Sequence, residues 1–333
     1  MKFNGVHCCG RLIIIFLWLY SSLSVAQYKN SDTSIGLKSL SDVIKWRLNA
    51  PASPKRVAIE LSDQWKKNDF AENNYAVWVG HATFLIKNND ITVLTDPIFS
   101  NRASPVGFLG PKRLIPPAIS IKDLPKIDVI VISHNHYDHL DIKSIKKIQR
   151  LNPSVRVFVP LGDKKLLKRK GIAEVSEFGW WDSVEIKNTE IVFTPAQHWS
   201  GRGLFDRNKS WWGGWLIRTQ EMSIFHAGDT GYSKDFLEIN ARYGDIDVAF
   251  IPIGAYEPRW FMGNQHVDPK EALKIASDLN VKKAYGMHWG TFILTDEPIL
   301  EPRQELKRIK ESTNLNSNLI LTVKPGEWLT LNE

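Results

Sequence analysis

Six consecutive residues constrain this chain more than any other feature: His134-Asn135-His136-Tyr137-Asp138-His139. They follow the run Ile127–Ser133, rich in Ile and Val, which reads as a buried strand. Four potential metal ligands therefore stand where a strand gives way to a loop. An extended backbone points alternate side chains the same way, so His134 and His136 can grip one cation. A tight turn then redirects Asp138 and His139 toward a second. A helix would place residues i and i+2 on different faces and could not do this. A polar loop of hydrogen-bonded histidines is the plainer alternative, and three His with one Asp at this spacing argue against it.

Three more groups close predicted strands elsewhere. His198 ends the stretch 191–197, Asp229 follows 223–227 in Ala-Gly-Asp-Thr-Gly, and His288 follows 283–287. Taken alone each would be structural; together they supply a full set. His134, His136 and His198 would hold one ion, Asp138, His139 and His288 the other, with Asp229 bridging. Nitrogen and oxygen ligands with open positions fit zinc, with iron or manganese as the alternatives. Two such ions hold a water between them, lower its pKa and clamp the attacking and leaving oxygens of a phosphoryl or acyl displacement. No G-x-S-x-G elbow and no P-loop pattern occurs in the chain.

Residues 1–26 read as a secretory signal. Lys2 and Arg11 precede or border the apolar run Leu12–Tyr20, and Ser24-Val25-Ala26 offers a cleavage site before Gln27. The run is too short for a spanning helix, which needs roughly 20 residues; retention as an anchor is the alternative. The only cysteines, Cys8 and Cys9, lie in this segment, so cleavage leaves a thiol-free chain suited to an oxidising, exported location. The formal charge of +7 over 333 residues excludes the basic stripe of a dedicated nucleic-acid binder but permits contact with anionic lipid.

Residues 27–74 read as a polar N-terminal extension with a helix over 37–48, and 75–333 as one catalytic domain. In that domain, strands are expected at 76–79, 83–86, 91–95, 127–133, 155–160, 189–194, 212–218, 222–227, 247–253 and 283–287. Helices are expected at 141–151, 233–242 and 268–280, the last opened by Asp268, Pro269 and Glu271. Hairpin strands followed by strand–helix alternation suggest an α/β class with two packed sheets and helices outside.

The ordered motifs carry a resemblance. WVGHATFLI (78–86), LTDPIFSNRASP (94–105), GPKR (110–113), ISHNHYDHLD (132–141), QHWSGR (197–202) and NKSWWGGW (208–215) form its first half. AGDTGYSKDF (227–236), IPIGAYEPRWFM (251–262), QHVDP (265–269) and MHWGTF (287–292) complete it. The chain resembles the metallo-β-lactamase-fold hydrolases, and within them the N-acyl-phosphatidylethanolamine-hydrolysing phospholipase D family. The resemblance implies a four-layer αββα sandwich, two Zn2+ per chain in the ligand set above, and a phospholipid substrate met at a membrane surface. It implies hydrolysis to N-acylethanolamine and phosphatidic acid by a metal-bridging hydroxide, with Asp138, Asp229 and His266 catalytic. Tyr137, Gln265 and His266 would face the substrate, and Asp96 would orient a ligand histidine. The alternatives are a dinuclear hydrolase of a lactone or another phosphodiester, and a non-catalytic envelope protein that keeps the fold; the oligomeric state is left open.

Smaller signals remain. His81 and His226 read as packed or hydrogen-bonded histidines rather than ligands. Trp199, Trp211, Trp212 and Trp215 are either sheet packing or a lipid-facing rim. Lys164-Lys165 and Lys168-Arg169-Lys170 read as a solvated helix face, with anionic lipid a weaker reading.

Overall fold

In a computed structural model, the described residues run from 27 to 331, apart from 35, 37, 73, 204 and 314–318. The expected signal segment lies outside them. Two seven-stranded sheets face each other. The first holds β1 (Tyr75–Gly80), β2 (Thr83–Asn88), β3 (Ile91–Thr95), β4 (Val129–Val131), β5 (Arg156–Pro160) and β6 (Val175–Phe178) in chain order. The second holds β7 (Ser183–Ile186), β8 (Thr189–Thr194), β9 (Gly214–Arg218), β10 (Ser223–His226), β11 (Val248–Pro252), β12 (Lys283–Met287) and β13 (Ile320–Leu321). The last strand, β14 (Trp328–Thr330), returns to the first sheet and pairs with β1.

Each sheet starts as an antiparallel meander and continues as parallel strands. β1–β2–β3 are antiparallel and β3–β4–β5–β6 parallel. β7–β8–β9–β10 are antiparallel and β10–β11–β12–β13 parallel. The two-residue connection Asn89-Asp90 closes the β2–β3 hairpin, with Asn89 in the left-handed region (φ 50°) such a turn demands.

Side chains alternate between two cores. Along β1, Ala76 and Trp78 point between the sheets while Tyr75, Val77 and Val79 point outward. Between the sheets Phe84 stacks on Phe250 at 3.9 Å. The outer face of the first sheet is covered by α2 (Ile142–Leu151) and α3 (Lys164–Arg169), through Ile145, Ile148 and Leu167. The second is covered by α4 (Asp235–Tyr243), α6 (Pro269–Asp278) and α7 (Glu301–Thr313), through Phe236, Ile239, Ala272, Ile275 and Leu306. The four-layer order expected from the resemblance is the one observed. α6 opens as its sequence predicts, with Asp268 and Glu271 closing a reciprocal capping box around Pro269.

The N-terminal part packs against the rest of the chain. α1 (Leu40–Asn49) starts three residues later than expected, where Ser39 caps it, and docks Trp46 on Phe261 of α5 (Arg259–Met262) at 4.7 Å. Ser62 and Trp65 donate backbone N–H groups to Pro325 and Gly326. Among the described residues no helix is long and apolar enough to cross a membrane.

Candidate metal centre

The ligand candidates gather at one end of both sheets. His134–His139 follow β4, His198 follows β8, Asp229 follows β10 and His288 follows β12. β8 and β10 are both antiparallel to β9, so they run in the same sense and deliver their loops to the same end. Three residues at these strand ends, His81, Asp96 and His288, hold left-handed backbone (φ 59°, 36° and 63°), a strained geometry that β-branched residues would resist.

Asp229 sits at the middle. Its Oδ2 lies 3.1 Å from His139 Nε2, 3.9 Å from His134 Nε2 and 4.0 Å from His198 Nε2, and its Oδ1 lies 3.1 Å from His288 Nε2. His136 Nδ1 lies 2.8 Å from His134 Nε2 and 3.3 Å from His198 Nε2. Asp138 Oδ2 lies 3.5 Å from His288 Nε2 and 3.6 Å from His139 Nε2. Ligand atoms of His134, His136 and His198 form one group, and those of Asp138, His139 and His288, joined by His81, form another.

These side chains suit a cation better than one another. His139 Nε2, His288 Nε2 and Asp229 Oδ1 are buried with no hydrogen-bond partner, although some lie within 3.1 Å of a neighbour. They converge on points in space between the side chains. Tetrahedral ligands 2.0–2.1 Å from zinc stand ~3.3 Å apart, and the separations here bracket that value.

Charge in the metal-free chain divides the histidines. Burial, then the neighbouring imidazoles, hold His134 and His136 well below the ordinary histidine range, and burial lowers His198 to about 4. Burial also opposes protonation of His139 and His288, but Asp229 and Asp138 overcome it. His139 is held well above the ordinary range and His288 is raised to about 9. Those two protons stand where a dication would bind.

A second tier of hydrogen bonds fixes the ligands. Asp96, fully buried, accepts from His139 Nδ1 and His226 Nε2 at 2.9 Å and from the Ser133 hydroxyl and N–H at 2.7 Å. His81 Nε2 reaches Asp138 Oδ2 at 2.9 Å, and its ring packs 4.0 Å from His288. His198 Nδ1 bonds to the backbone carbonyl of Gln265 at 2.9 Å. That carbonyl is a role the sequence does not advertise, because backbone groups carry no residue signature.

His266 is also brought in: its Nδ1 lies 4.0 Å from Asp229 Oδ2 without a hydrogen-bond partner, and burial lowers it to about 3. Arg259 Nη1 holds its carbonyl at 2.7 Å. Tyr137 lies at the margin, half-buried, donating to Arg202 O at 3.0 Å beneath the Arg202 guanidinium, 3.9 Å from its ring. Two of the four tryptophans take the sheet-packing alternative. Trp212 and Trp215 are fully buried, and Trp215 Nε1 bonds to Ile132 O between the sheets. A cavity of about 800 Å³ lies beside α5 among Trp46, Tyr256 and Trp260, away from the ligands.

Known proteins are similar to this chain. Residues 92–289 match the beta-lactamase superfamily domain. The chain belongs to the metallo-β-lactamase superfamily of metal-dependent hydrolases. It is 42% identical over 265 residues to a Caenorhabditis elegans protein named N-acyl-phosphatidylethanolamine-hydrolyzing phospholipase D 1, covering 76% of this chain and 74% of that one. It is 39% identical over 244 residues to the mitochondrial protein of that name from Saccharomyces cerevisiae, covering 71% of this chain and 52% of that one. A possible metal-dependent hydrolase from Veillonella parvula shares the fold, with a TM-score of 0.63 at 19% identity over 78% of this chain and all of that one.

Proposed function

We propose that the chain is a zinc-dependent phosphodiesterase of the phospholipase D type, cleaving N-acyl-phosphatidylethanolamine to N-acylethanolamine and phosphatidic acid. The observation that carries the substrate is the 42% identity to the nematode phospholipase over 265 residues. His134, His136 and His198 would hold one ion, Asp138, His139 and His288 the other, and the central position of Asp229 supports a bridging role. Such an ion pair lowers the pKa of water and neutralises charge on phosphoryl oxygens.

The rest is work for the chain. Asp96 accepts the Nδ1 proton of His139, which leaves Nε2 as the lone pair offered inward. The Gln265 carbonyl does the same for His198. Through Nε2–H, His81 holds one oxygen of Asp138, so the carboxylate binds through a fixed geometry. His266 stays neutral at physiological pH, and its unpartnered Nδ1 suits a hydrogen bond to a phosphate oxygen. We place Tyr137 and Gln265 beside the headgroup, read 1–26 as an export signal, and expect contact with a bilayer surface, where this substrate resides.

The test is product analysis with vesicles of N-acyl-phosphatidylethanolamine, on protein of verified metal content, beside lactones and other phosphodiesters. Release of N-acylethanolamine that stops on chelation and returns with Zn2+ supports the proposal. Turnover of a lactone alone, or no turnover with both ions bound, refutes it. Asp138→Asn, which removes a charged ligand, should abolish hydrolysis.

A further inference from the structure

The segment before α1 touches the metal centre from outside the region that matches the superfamily domain. Asn30 Oδ1 accepts the backbone N–H of His198 at 3.1 Å and the indole N–H of Trp212 at 2.8 Å. Upstream, the N–H groups of Gln27 and Tyr28 both reach Asn208 O at 3.0 Å, and Tyr28 stacks on Trp211 at 4.6 Å. Downstream, Asn264 Nδ2 reaches Gly36 O at 3.3 Å and Lys38 Nζ reaches Trp260 O at 2.6 Å. The described residues between 27 and 38 thus reach from the 208–212 segment to the 260–264 segment, with Asn30 at His198.

We propose that this segment is a strap that completes one of the two ion sites, and that Asn30 is a positioning residue for His198. His198 lies beyond the end of β8, in a segment with no continuous ladder to hold it. Its neighbour Gln197 is pinned through Thr230 Oγ1 and the Gly231 N–H. The ring of His198 is pinned through Gln265 O. Its own N–H, fully buried, has Asn30 as its acceptor. A buried N–H stripped of its acceptor is costly, so the loop must move to find another. Moving the His198 backbone displaces Nε2 from the group it forms with His134 and His136. Asp138, His139 and His288 take no support from Asn30. The strap therefore acts on one ion and spares the other.

The inference rests on the metal reading above, and the experiment separates the two. Co2+ is titrated into the purified, metal-free full chain and into Asn30→Ala, Asn30→Asp and Tyr28→Ala variants, following visible absorbance and competition with a chelator. Wild type should bind two ions. Asn30→Ala should weaken one of them about 10–100-fold and leave the other unchanged. Asn30→Asp, which keeps an acceptor oxygen, should restore binding to within a few fold. Tyr28→Ala, which only loosens the strap on Trp211, should weaken the same ion several-fold, and it serves should the alanine at 30 fail to fold. Unchanged affinities in both alanine variants overturn the strap. So does equal weakening of both ions with a lowered melting temperature of the metal-free protein, since that marks general support. A wild type that binds no pair of ions refutes the metal reading itself.

Discussion

Asparagine in place of Asp96 should cost more than a buried polar swap normally does. The native carboxylate accepts four donors: Oδ2 takes His139 Nδ1, His226 Nε2 and the Ser133 hydroxyl, and Oδ1 takes the Ser133 N–H. An amide has one acceptor oxygen. Oriented to keep the three bonds at Oδ2, it turns its NH2 against the Ser133 N–H and leaves that donor unsatisfied. The three remaining bonds also lose their charge. At about 1 kcal/mol for each weakened bond and 1–3 kcal/mol for the orphaned donor, the loss is about 5 kcal/mol. Urea unfolding of metal-free protein, followed by tryptophan fluorescence, measures it.

The same change frees the His139 ring, so the ion it serves should bind about 10–100-fold more weakly. Acid sensitivity gives a further check. Burial alone would raise the Asp96 carboxyl, but His139 and His226 outweigh it and hold it well below the usual range. A depressed folded-state pKa contributes stability above the unfolded value, roughly 4, that is lost as pH falls toward the folded one. The asparagine variant should lack that acid-side loss. A stability change under 1 kcal/mol together with unaltered ion affinity would refute the reasoning.

Asp163 should show the opposite sign: burial raises it to about 7, against the hydrogen bonds of Asn135 and Ser210. Its stabilisation is complete below the unfolded pKa of roughly 4 and lost as pH rises through 7, up to about 4 kcal/mol. Asp163→Asn should therefore be relatively more stable at pH 8 than at pH 5, by chemical unfolding at both. Binding of two ions at pH 7 should release about two protons per chain, since His139 and His288 must give theirs up; calorimetry in buffers of different ionisation enthalpy counts them, and no release would contradict this charge assignment. Gly228→Ala puts a Cβ 2.5 Å from Ser133 Cβ at φ 63°. It should cost about 3 kcal/mol and weaken ion binding, because Gly228 precedes Asp229 and Ser133 precedes His134; a melting curve and a metal titration decide.

Much of this architecture was legible because the sheets are buried on both faces. Strands such as Ile91–Thr95, Thr189–Thr194 and Lys283–Met287 carry apolar runs with the observed boundaries. The run at 127–133 shrinks to Val129–Val131 as ladder, although Ile132 N still bonds to Phe158 O and carries the extended chain to the ligands. β6 and β7 carry no clear signal because they include part-exposed residues, β13 because it is two residues long, and β14 because its pairing with β1 joins opposite ends of the chain. Within the centre, the clustered histidines announce themselves by spacing. A lone Asn30 and the carbonyl of Gln265 do not, since nothing in residue type marks a distant hydrogen bond.

The placement of Asp229 and its neighbours would make the proposed ions a mechanical joint. His134–His139 belong to the first sheet, while His198, Asp229 and His288 belong to the second. In the proposed ligand set each ion would therefore be tied to both halves of the sandwich, as a rivet is to two plates. A chain nicked between Phe178 and Ser183, at the passage from one sheet to the other, should hold its fragments together more tightly in the presence of divalent metal than in a chelator.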